Sequence, residues 1–410
     1  GLRGVYVFTT GHYENLVISG CYIHNVNWNW TKSDAEESYF DRLDELGKDG
    51  VAEVDSVFVY ERGGIIFNTA SGSSPCWLEN VWVENNTIEK VSRSGVFMTS
   101  NWIKKIGVAW GVNPYCDDDH GYYPSKNVNF VGNKINLTGG DGLVMIGVKG
   151  GYFERNVSYH ANFLGRSGTA NVGMWPISSS DIVMQYNEAA YCHLANGGAD
   201  GEGFDIDCAE NGTTIQYNYS HNNEGGFLLM CDTADGHKVS KDHVVRFNLS
   251  VNDATRKSGQ AVLMTTNVTA KTEIYNNTFI IPDDGRVLLY TFGGSTENIT
   301  FTNNIISGNA KITAATGKDH KGYKNIKFVN NVLTGGAKET TIDGVTFSGT
   351  KTNDPKFQNA SCTDYKDRAK MIAAFTPTAK IDGASNIANN GGKDINGSTF
   401  SAPFYGAVKY

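Results

Sequence analysis

One short stretch recurs along this chain and decides its fold, as in Val83-Glu-Asn-Asn86, Met184-Gln-Tyr-Asn187 and Ile215-Gln-Tyr-Asn218. Each copy consists of an apolar residue, two variable residues and an Asn. The nine copies end at Asn86, Asn133, Asn156, Asn187, Asn218, Asn248, Asn277, Asn304 and Asn331, which lie 47, 23, 31, 31, 30, 29, 27 and 27 residues apart. Self-similarity at such a period indicates stacked structural repeats with loop insertions of variable size.

The repeated Asn has a physical role in a stack of coils. Its side-chain amide can donate a hydrogen bond to one neighbouring coil and accept one from the other, which satisfies buried polar groups at a turn. The general preference of Asn for turns explains single positions but not nine in one register. The sequence therefore predicts an all-β solenoid in which a ladder of Asn side chains runs along one corner.

Composition agrees with this prediction and limits the partners. The 410 residues include 47 Gly but only 8 Pro, and 19% are charged, which suits many short strands and tight turns. The formal charge of −8 argues against nucleic acid and anionic membranes, and less firmly against a strongly acidic polysaccharide. No run of 18 apolar residues occurs, so we expect no membrane insertion within this chain. A neutral carbohydrate fits best.

Departures from the repeat define the expected organisation. We predict a β-helix domain over residues 1–361, with insertions near 25–60 and 100–127, and a C-terminal capping segment over 362–410 that contains a helix within 366–375. Because the chain opens directly on a strand-like stretch, we expect further coils before residue 1 in the full protein.

The cysteines give little information about compartment. Their number, seven, is odd and they show no paired metal spacing. Cys208 and Cys231 end strands that the repeat makes equivalent, so we expect buried, stacked thiols rather than a disulfide framework.

A second stretch, residues 197–208, reads Gly-Gly-Ala-Asp-Gly-Glu-Gly-Phe-Asp-Ile-Asp-Cys and carries four carboxylates. Apolar and acidic residues alternate from Phe204 to Asp207, which is the period of a β-strand. Phe204 and Ile206 should therefore face the core, and Asp205 and Asp207 the solvent. In the next coil, at an offset of 23 residues, Leu228 and Met230 take the places of the two Asp. The solenoid does not require acids there, so we infer that they serve function.

Asp200 and Glu202 precede this strand on a loop rich in glycine. Glycine permits tight or left-handed turns, which can bring the Asp200 carboxylate back over the strand. Two converging carboxyl groups are the minimum equipment of a glycoside hydrolase, one as proton donor and one as nucleophile or base. No Lys or Arg lies in the stretch, so mutual repulsion should raise at least one pKa.

The alternative interpretation of the acidic stretch is a Ca²⁺-binding or merely solvated turn. Further weak candidates for Ca²⁺ are Asp117-Asp118-Asp119 and the pair Asp232 and Asp235. We expect no required cofactor, and a structural Ca²⁺ ion stays an open alternative.

Three residues outside the stretch are candidates for substrate binding: Trp175, His193 and His221. Trp175 stands one coil earlier at a similar height, where it could stack on a sugar ring or simply cover the side of the solenoid. The two histidines follow ladder Asn residues and could donate hydrogen bonds to hydroxyl groups or cap turns.

The Asn repeat resembles that of the right-handed parallel β-helix proteins of the pectate-lyase-like superfamily over roughly residues 1–345. Within it, Asp200-Gly-Glu-Gly-Phe-Asp-Ile-Asp207 resembles the β-helical lacto-N-biosidase family, retaining glycoside hydrolases that release lacto-N-biose from lacto-N-tetraose of human milk. The resemblance implies that Asp200 is the general acid/base and Asp207 the nucleophile, with Asp205 and Glu202 shaping charge or binding a hydroxyl. It also implies a protein that is secreted by, or attached to, a bacterial cell.

Two other functions stay open at this point. A polysaccharide lyase would use a base beside a metal or a neutralised uronate and would release an unsaturated product. A non-catalytic solenoid would bind carbohydrate without turning it over.

Overall fold

The computed structural model describes residues 2–26, 62–70, 72–103, 121–163, 170–194, 199–232, 240, 242–256, 261–281, 286–315 and 320–410. Strands are numbered β1 to β34 in chain order, and nearly all of them belong to three long sheets, I, II and III.

Sheet I contains β1 (Arg3–Thr9), β4 (Gly63–Thr69), β7 (Ser94–Met98), β10 (Leu143–Ile146), β14 (Met174–Ile177), β18 (Glu202–Ile206), β21 (Gly226–Cys231), β24 (Ala261–Thr266), β27 (Val287–Glu297), β30 (Lys311–Ala315) and β31 (His320–Lys324). Sheet II contains β2 (His12–Ser19), β5 (Trp77–Glu84), β8 (Ser125–Val131), β11 (Val148–Glu154), β15 (Ser180–Gln185), β19 (Thr214–Gln216), β22 (His243–Arg246), β25 (Thr272–Tyr275), β28 (Ile299–Thr302), β32 (Ile326–Val329) and β34 (Val345–Ser348). Sheet III contains β3 (Tyr22–Val26), β6 (Thr87–Val91), β9 (Lys134–Thr138), β12 (Val157–Tyr159), β16 (Glu188–Ala190), β20 (Tyr219–His221), β23 (Leu249–Val251), β26 (Thr278–Ile281), β29 (Ile305–Gly308) and β33 (Val332–Thr334). The short strands β13 (Ala170–Asn171) and β17 (Ala199–Asp200) pair with each other, and the described residues include one helix, α1 (Arg368–Ala374).

The chain passes through sheets I, II and III in turn and then begins the next coil. Every pairing between neighbouring strands of these sheets is parallel, as between β4 and β7, where Phe67 lies opposite Met98. The predicted parallel β-helix is therefore confirmed. Its right hand is the sense that connections between parallel strands adopt almost without exception.

The core is one continuous column of apolar side chains inside the three sheets. It extends from Ile23 to Ala337 and includes stacked rings contributed by successive coils. The rings of Phe301 and Phe328 are 4.2 Å apart, and Phe347 continues the stack at 4.8 Å. Each coil thus covers the apolar surface of its neighbour, which is how short strands that could not fold alone become stable.

The Asn ladder is present in full at the corner between sheets II and III. In each of eight steps the side-chain amide donates to Oδ1 of the next Asn, at 2.9–3.1 Å, from Asn86 to Asn331. The same Oδ1 also accepts the backbone N–H of the preceding ladder residue, as Asn248 does from Asn218 at 2.9 Å. The predicted role of the repeat is confirmed.

The residue before each ladder Asn has a left-handed backbone conformation, which turns the chain from sheet II into sheet III. These residues have φ between 50° and 67° and are Asn85, Gly132, Arg155, Tyr186, Tyr217, Phe247, Asn276, Asn303 and Asn330. A single left-handed residue other than glycine costs about 1 kcal/mol. The ladder hydrogen bonds offset that cost nine times at the same corner.

Replacing Asn218 by Leu should destabilise the protein by on the order of 3 kcal/mol. The Asn218 amide donates to Met184 O at 2.8 Å and to Asn248 Oδ1 at 3.0 Å, and Asn187 donates to its oxygen. Each buried polar group left without its partner costs about 1–3 kcal/mol. Urea unfolding checks the value, with Asn353→Leu at an exposed position as the control. Equal midpoints for the two variants would contradict the structural role of the ladder.

The C-terminal segment lies along the side of the solenoid, whereas we predicted that it covers the last coil. Helix α1, within the predicted range, and the chain end pack on the outer face of sheet III, in a cluster that includes Tyr219, Leu249, Met371 and Phe404. Arg368 in α1 donates to the carbonyl groups of Tyr186, Asn187 and Tyr217 at the ladder corner. An amphipathic helix can cover an apolar sheet face as well as an open end, and the sequence pattern does not distinguish the two.

Most of both predicted insertions, including the expected helical segment near residues 38–46 and Asp117-Asp118-Asp119, lies outside the described residues. In the part of the chain that the structure describes, no helix is long and apolar enough to cross a membrane.

Candidate active site

The acidic stretch lies on sheet I and forms β18 as predicted. Phe204 and Ile206 belong to the core column, and the Phe204 ring contacts that of Phe227 in the next coil at 5.7 Å. Asp205 is on the outer face of the strand but is only 3% exposed. The predicted orientation of these side chains is confirmed, whereas the prediction of a solvent face is wrong for Asp205.

The register around β18 differs by one residue from our sequence alignment. Asp205 is paired with Leu229, and Ile206 with Met230, so the offset is 24 residues and Asp207 comes beside Cys231. We had matched the two Asp with Leu228 and Met230, which in fact belong to the core. The extra residue is accommodated where the glycine-rich loop enters the strand.

The corrected register strengthens the argument that the acids serve function. The outer face of sheet I carries a row of apolar residues at the register of Asp205, namely Ile66, Phe97, Val144 and Trp175 on one side and Leu229 on the other. A buried carboxylate in such a row costs several kcal/mol unless it is compensated. Stability alone would place an apolar residue at this position.

Asp200 is held beside β18 by the small sheet of β13 and β17. It lies opposite Asn171 and has φ of 75°, a left-handed conformation that is uncommon for Asp. Gly225 in the next coil is essential to this arrangement, because a Cβ atom there would come within 2.4 Å of the Asp200 carbonyl oxygen. The loop therefore returns its half-buried carboxyl to the strand, as the glycine pattern predicts.

Burial and mutual repulsion shift the charge states of these acids. The pKa of Asp200 is raised well above its usual value by burial and by the charges of Glu202 and Asp207. Burial followed by the charge of Asp207 likewise raises the pKa of Asp205. Burial raises the pKa of Glu202 to about 7, and neither of its carboxylate oxygens has a hydrogen-bond partner among the described residues. The predicted rise of at least one pKa is confirmed in direction.

Asp207 has a different environment, at the end of β18. Its Oδ1 accepts the backbone N–H of Cys208 at 2.6 Å and the thiol of Cys231 at 2.6 Å, and its side chain is half-buried. The two thiols of Cys208 and Cys231 are 3.5 Å apart and unpaired by a disulfide, as expected. Two donors fix the orientation of the Asp207 carboxylate and favour its negative charge.

A fifth acid, Asp141, belongs to this neighbourhood and was missed. It is fully buried two coils before Glu202, 3.3 Å from the guanidinium of Arg93, and its charge contributes to the raised pKa of Asp200. The signal was in the sequence, since Gly140-Asp141-Gly142 repeats the glycine-flanked form of the Asp200 loop.

Asp141 also explains where Trp175 goes. The indole N–H of Trp175 donates to Asp141 Oδ1 at 2.9 Å, and the ring is 7% exposed within the outer apolar cluster of sheet I. Trp175 lies in the register position next to Asp205, so it adjoins the acids as predicted. Its low exposure favours the role of covering the solenoid over that of a sugar platform.

The two histidines lie apart from β18. His221 is fully buried on sheet III, where it contacts Glu188 at 3.2 Å and stacks on Tyr219 and on Tyr365 of the C-terminal segment. His193 follows β16 at the corner between sheets III and I, 3.3 Å from Glu224. His221 is therefore removed from the candidate site, and His193 borders only the loop that leads to Asp200.

Glu202 should make the stability of the protein fall as pH rises. Its pKa is about 7 in the folded state against 4.5 in the unfolded chain, so its contribution is complete below pH 4.5 and is lost as pH rises through 7. That difference corresponds to about 3 kcal/mol. Glu202→Gln, which cannot ionise, should therefore gain stability relative to the original protein between these pH values in urea unfolding. A constant difference across this range would contradict the burial of an ionisable group.

Comparison with known proteins gives one curated sequence relative. No family model matches the chain. It is similar to the lacto-N-biosidase of Bifidobacterium longum subsp. longum, with 27% identity over 346 positions that cover 72% of this chain and 21% of the relative. The chain thus spans about a fifth of the length of that protein, and the predicted resemblance to lacto-N-biosidases is confirmed at the level of sequence similarity.

Solved structures that are similar include the GH136 lacto-N-biosidase from Eubacterium ramulus, with a TM-score of 0.48, 18% identity, and coverage of 78% of this chain and 45% of that chain. An exopolygalacturonase from Thermotoga maritima has a TM-score of 0.34 and 15% identity, with 81% and 87% coverage.

Proposed function

We propose that this chain carries the active site of a retaining glycoside hydrolase. The observation that supports it most is the pairing of two carboxyl groups in one patch with opposite environments. Burial and neighbouring acids favour the protonated form of Asp200, while two hydrogen-bond donors favour the ionised form of Asp207. Titratable groups that their surroundings push apart are typical of an acid and nucleophile pair.

The proposed reaction has two steps. Asp207 attacks the anomeric carbon while Asp200 gives its proton to the departing glycosidic oxygen, which forms a covalent glycosyl ester and releases the leaving group. Asp200, now ionised, then takes a proton from water as the water oxygen attacks the same carbon. The ester breaks, both carboxyl groups return to their first state, and the sugar keeps its anomeric configuration.

The remaining acids are assigned to substrate binding. Asp205 Oδ1 has no hydrogen-bond partner among the described residues and could accept a hydrogen bond from a sugar hydroxyl. Glu202, Trp175 and His193 surround the Asp200 loop from the strand, the preceding coil and the corner. They would fix the position of that loop or contact the sugar at its edge.

Sequence similarity to the lacto-N-biosidase of Bifidobacterium longum suggests the substrate. We assign a neutral β-linked oligosaccharide such as lacto-N-tetraose, a human milk oligosaccharide, with lacto-N-biose as the released disaccharide. The formal charge of −8 fits a neutral glycan better than a uronic acid polymer. Such a substrate lies outside cells, so we place the protein in secretion or at the bacterial cell surface.

Incubation with lacto-N-tetraose and, separately, with polygalacturonate tests this function. Chromatography should detect lacto-N-biose from the first and no product from the second. An ultraviolet-absorbing unsaturated product from the polymer would instead indicate a lyase. Binding of lacto-N-tetraose without any product would indicate a carbohydrate-binding solenoid.

A further inference from the structure

Three potential metal ligands meet at the end of β18. The Asp207 carboxylate and the thiols of Cys208 and Cys231 offer one ligand atom each, and these atoms all lie within 4.8 Å of one another. Two of the ligands are sulfur atoms 3.5 Å apart, and all three side chains are half-buried rather than sealed in the core. This donor set was not visible in the sequence, because Cys208 and Cys231 have no metal-binding spacing.

The geometry is close to what a tetrahedral thiophilic cation requires. Zn–S bonds of about 2.3 Å place two sulfur ligands about 3.8 Å apart, near the distance seen between Cys208 and Cys231. The Asp207 oxygen, 2.6 Å from Cys231 Sγ, would move away by somewhat less than 1 Å through rotation of its side chain. Sulfur ligands select zinc and similar ions over Ca²⁺ and Mg²⁺, which prefer oxygen.

The surroundings favour a cation at this point. Asp205 is 97% buried on the same strand with an unpartnered Oδ1 among the described residues, and its pKa is raised by burial and by the charge of Asp207. A positive ion beside Asp207 would relieve this repulsion, whereas an additional anion would increase it.

We infer that Asp207, Cys208 and Cys231 form a binding site for a thiophilic divalent cation such as Zn²⁺. Binding replaces two S–H bonds by two metal–sulfur bonds and releases two protons. The direct consequence is coordination of the Asp207 carboxylate, which could then not attack a sugar. The binding step stands on the geometry alone, while inhibition by the cation rests on the proposed function.

Titration of the reduced protein with Co²⁺, a spectroscopic substitute for Zn²⁺, measures the binding directly. We expect a sulfur-to-metal charge-transfer band that Zn²⁺ removes by competition. Cys208→Ser and Cys231→Ser should each weaken Co²⁺ binding by more than about tenfold, because loss of a ligand costs more than loss of an outer contact. Cys362→Ser, in the cluster under the C-terminal segment, is the matched control and should leave the band unchanged. A band that persists in both site variants, or no band in the reduced protein, would overturn the inference.

Inhibition separates this inference from the proposed function. Zn²⁺ should suppress hydrolysis of lacto-N-tetraose reversibly, with recovery on addition of a chelator, and the inhibition should be weakened more than tenfold in Cys208→Ser. If the Co²⁺ band follows the two cysteines but no hydrolysis is ever detected, the metal site stands and the proposed function fails. If the enzyme is active but unaffected by Zn²⁺ and without a band, the metal site fails. Mass spectrometry showing Cys208 and Cys231 joined in a disulfide that reductant does not open would also overturn it.

Discussion

Asp207→Asn is expected to abolish turnover of every glycoside, whatever its leaving group. The amide is nearly isosteric and retains an oxygen for the Cys208 N–H and the Cys231 thiol, so the local fold should persist. It cannot form the glycosyl ester, and loss of a nucleophile lowers kcat by on the order of a thousandfold or more. Steady-state kinetics on lacto-N-tetraose and on an aryl glycoside with an acidic phenol would measure the loss.

Asp205→Asn is the matched control for this variant, since it makes the same change two residues earlier on the same strand. Asp205 is buried beside Asp207 and is assigned to binding, so its loss should be milder and should affect KM more than kcat. If Asp205→Asn is the inactive variant and Asp207→Asn keeps nearly normal rates, the nucleophile lies at Asp205 and the assignment of Asp207 fails.

Asp200→Asn should give a loss that depends on the leaving group. The natural oligosaccharide leaves as an alkoxide unless it is protonated, so hydrolysis of lacto-N-tetraose should fall by about 10²–10⁴-fold. An acidic phenol leaves with little help, so the first step on the aryl glycoside should be much less affected. Added azide needs no general base to attack the ester and should partly restore turnover of that substrate.

Equal losses on the two substrates, without rescue by azide, would contradict the role of Asp200 as acid and base. Such a result would indicate that Asp200 only supports the position of β18, which its contacts with the backbone near Gly225 would allow. Circular dichroism and urea unfolding of the variant would then show a structural change.

The fold was predictable because its main device is encoded locally. An Asn in each coil at one corner, preceded by a residue that can adopt a left-handed conformation, leaves a pattern of fixed form at nearly constant spacing. Asn218 and Asn248 could therefore be identified as stacked neighbours before the structure was known, and they are. The alternation from Phe204 to Asp207 predicted the direction of each side chain for the same reason.

Relations between coils were harder to predict, because they depend on loop length rather than pattern. The loop that contains Gly225 contributes one residue more than the alignment allowed, which moved the partner of Asp205 from Leu228 to Leu229. The contact of Asp207 with Cys231 follows from that shift and was invisible from spacing alone. Asp141 acts across two coils, so no local motif connects it with Asp200.

Burial was the other property that the sequence did not reveal. His221 looked like a candidate for an open cleft, but the C-terminal segment covers it with Tyr365. Asp205 alternates with core residues and therefore looked solvent-exposed, yet it lies in a covered row of apolar side chains. Coverage by distant segments is a tertiary property, and a strand with one polar face does not specify it.

Trapping of the covalent intermediate tests the central claim most directly. Asp200→Asn protein given an aryl glycoside with an acidic phenol should accumulate a glycosyl ester, because the second step lacks its general base. Proteolysis and mass spectrometry of the trapped protein should locate the sugar on Asp207. A sugar on Asp205, or release of the phenol without any attached sugar, would contradict the assignment of Asp207 as the nucleophile of a retaining enzyme.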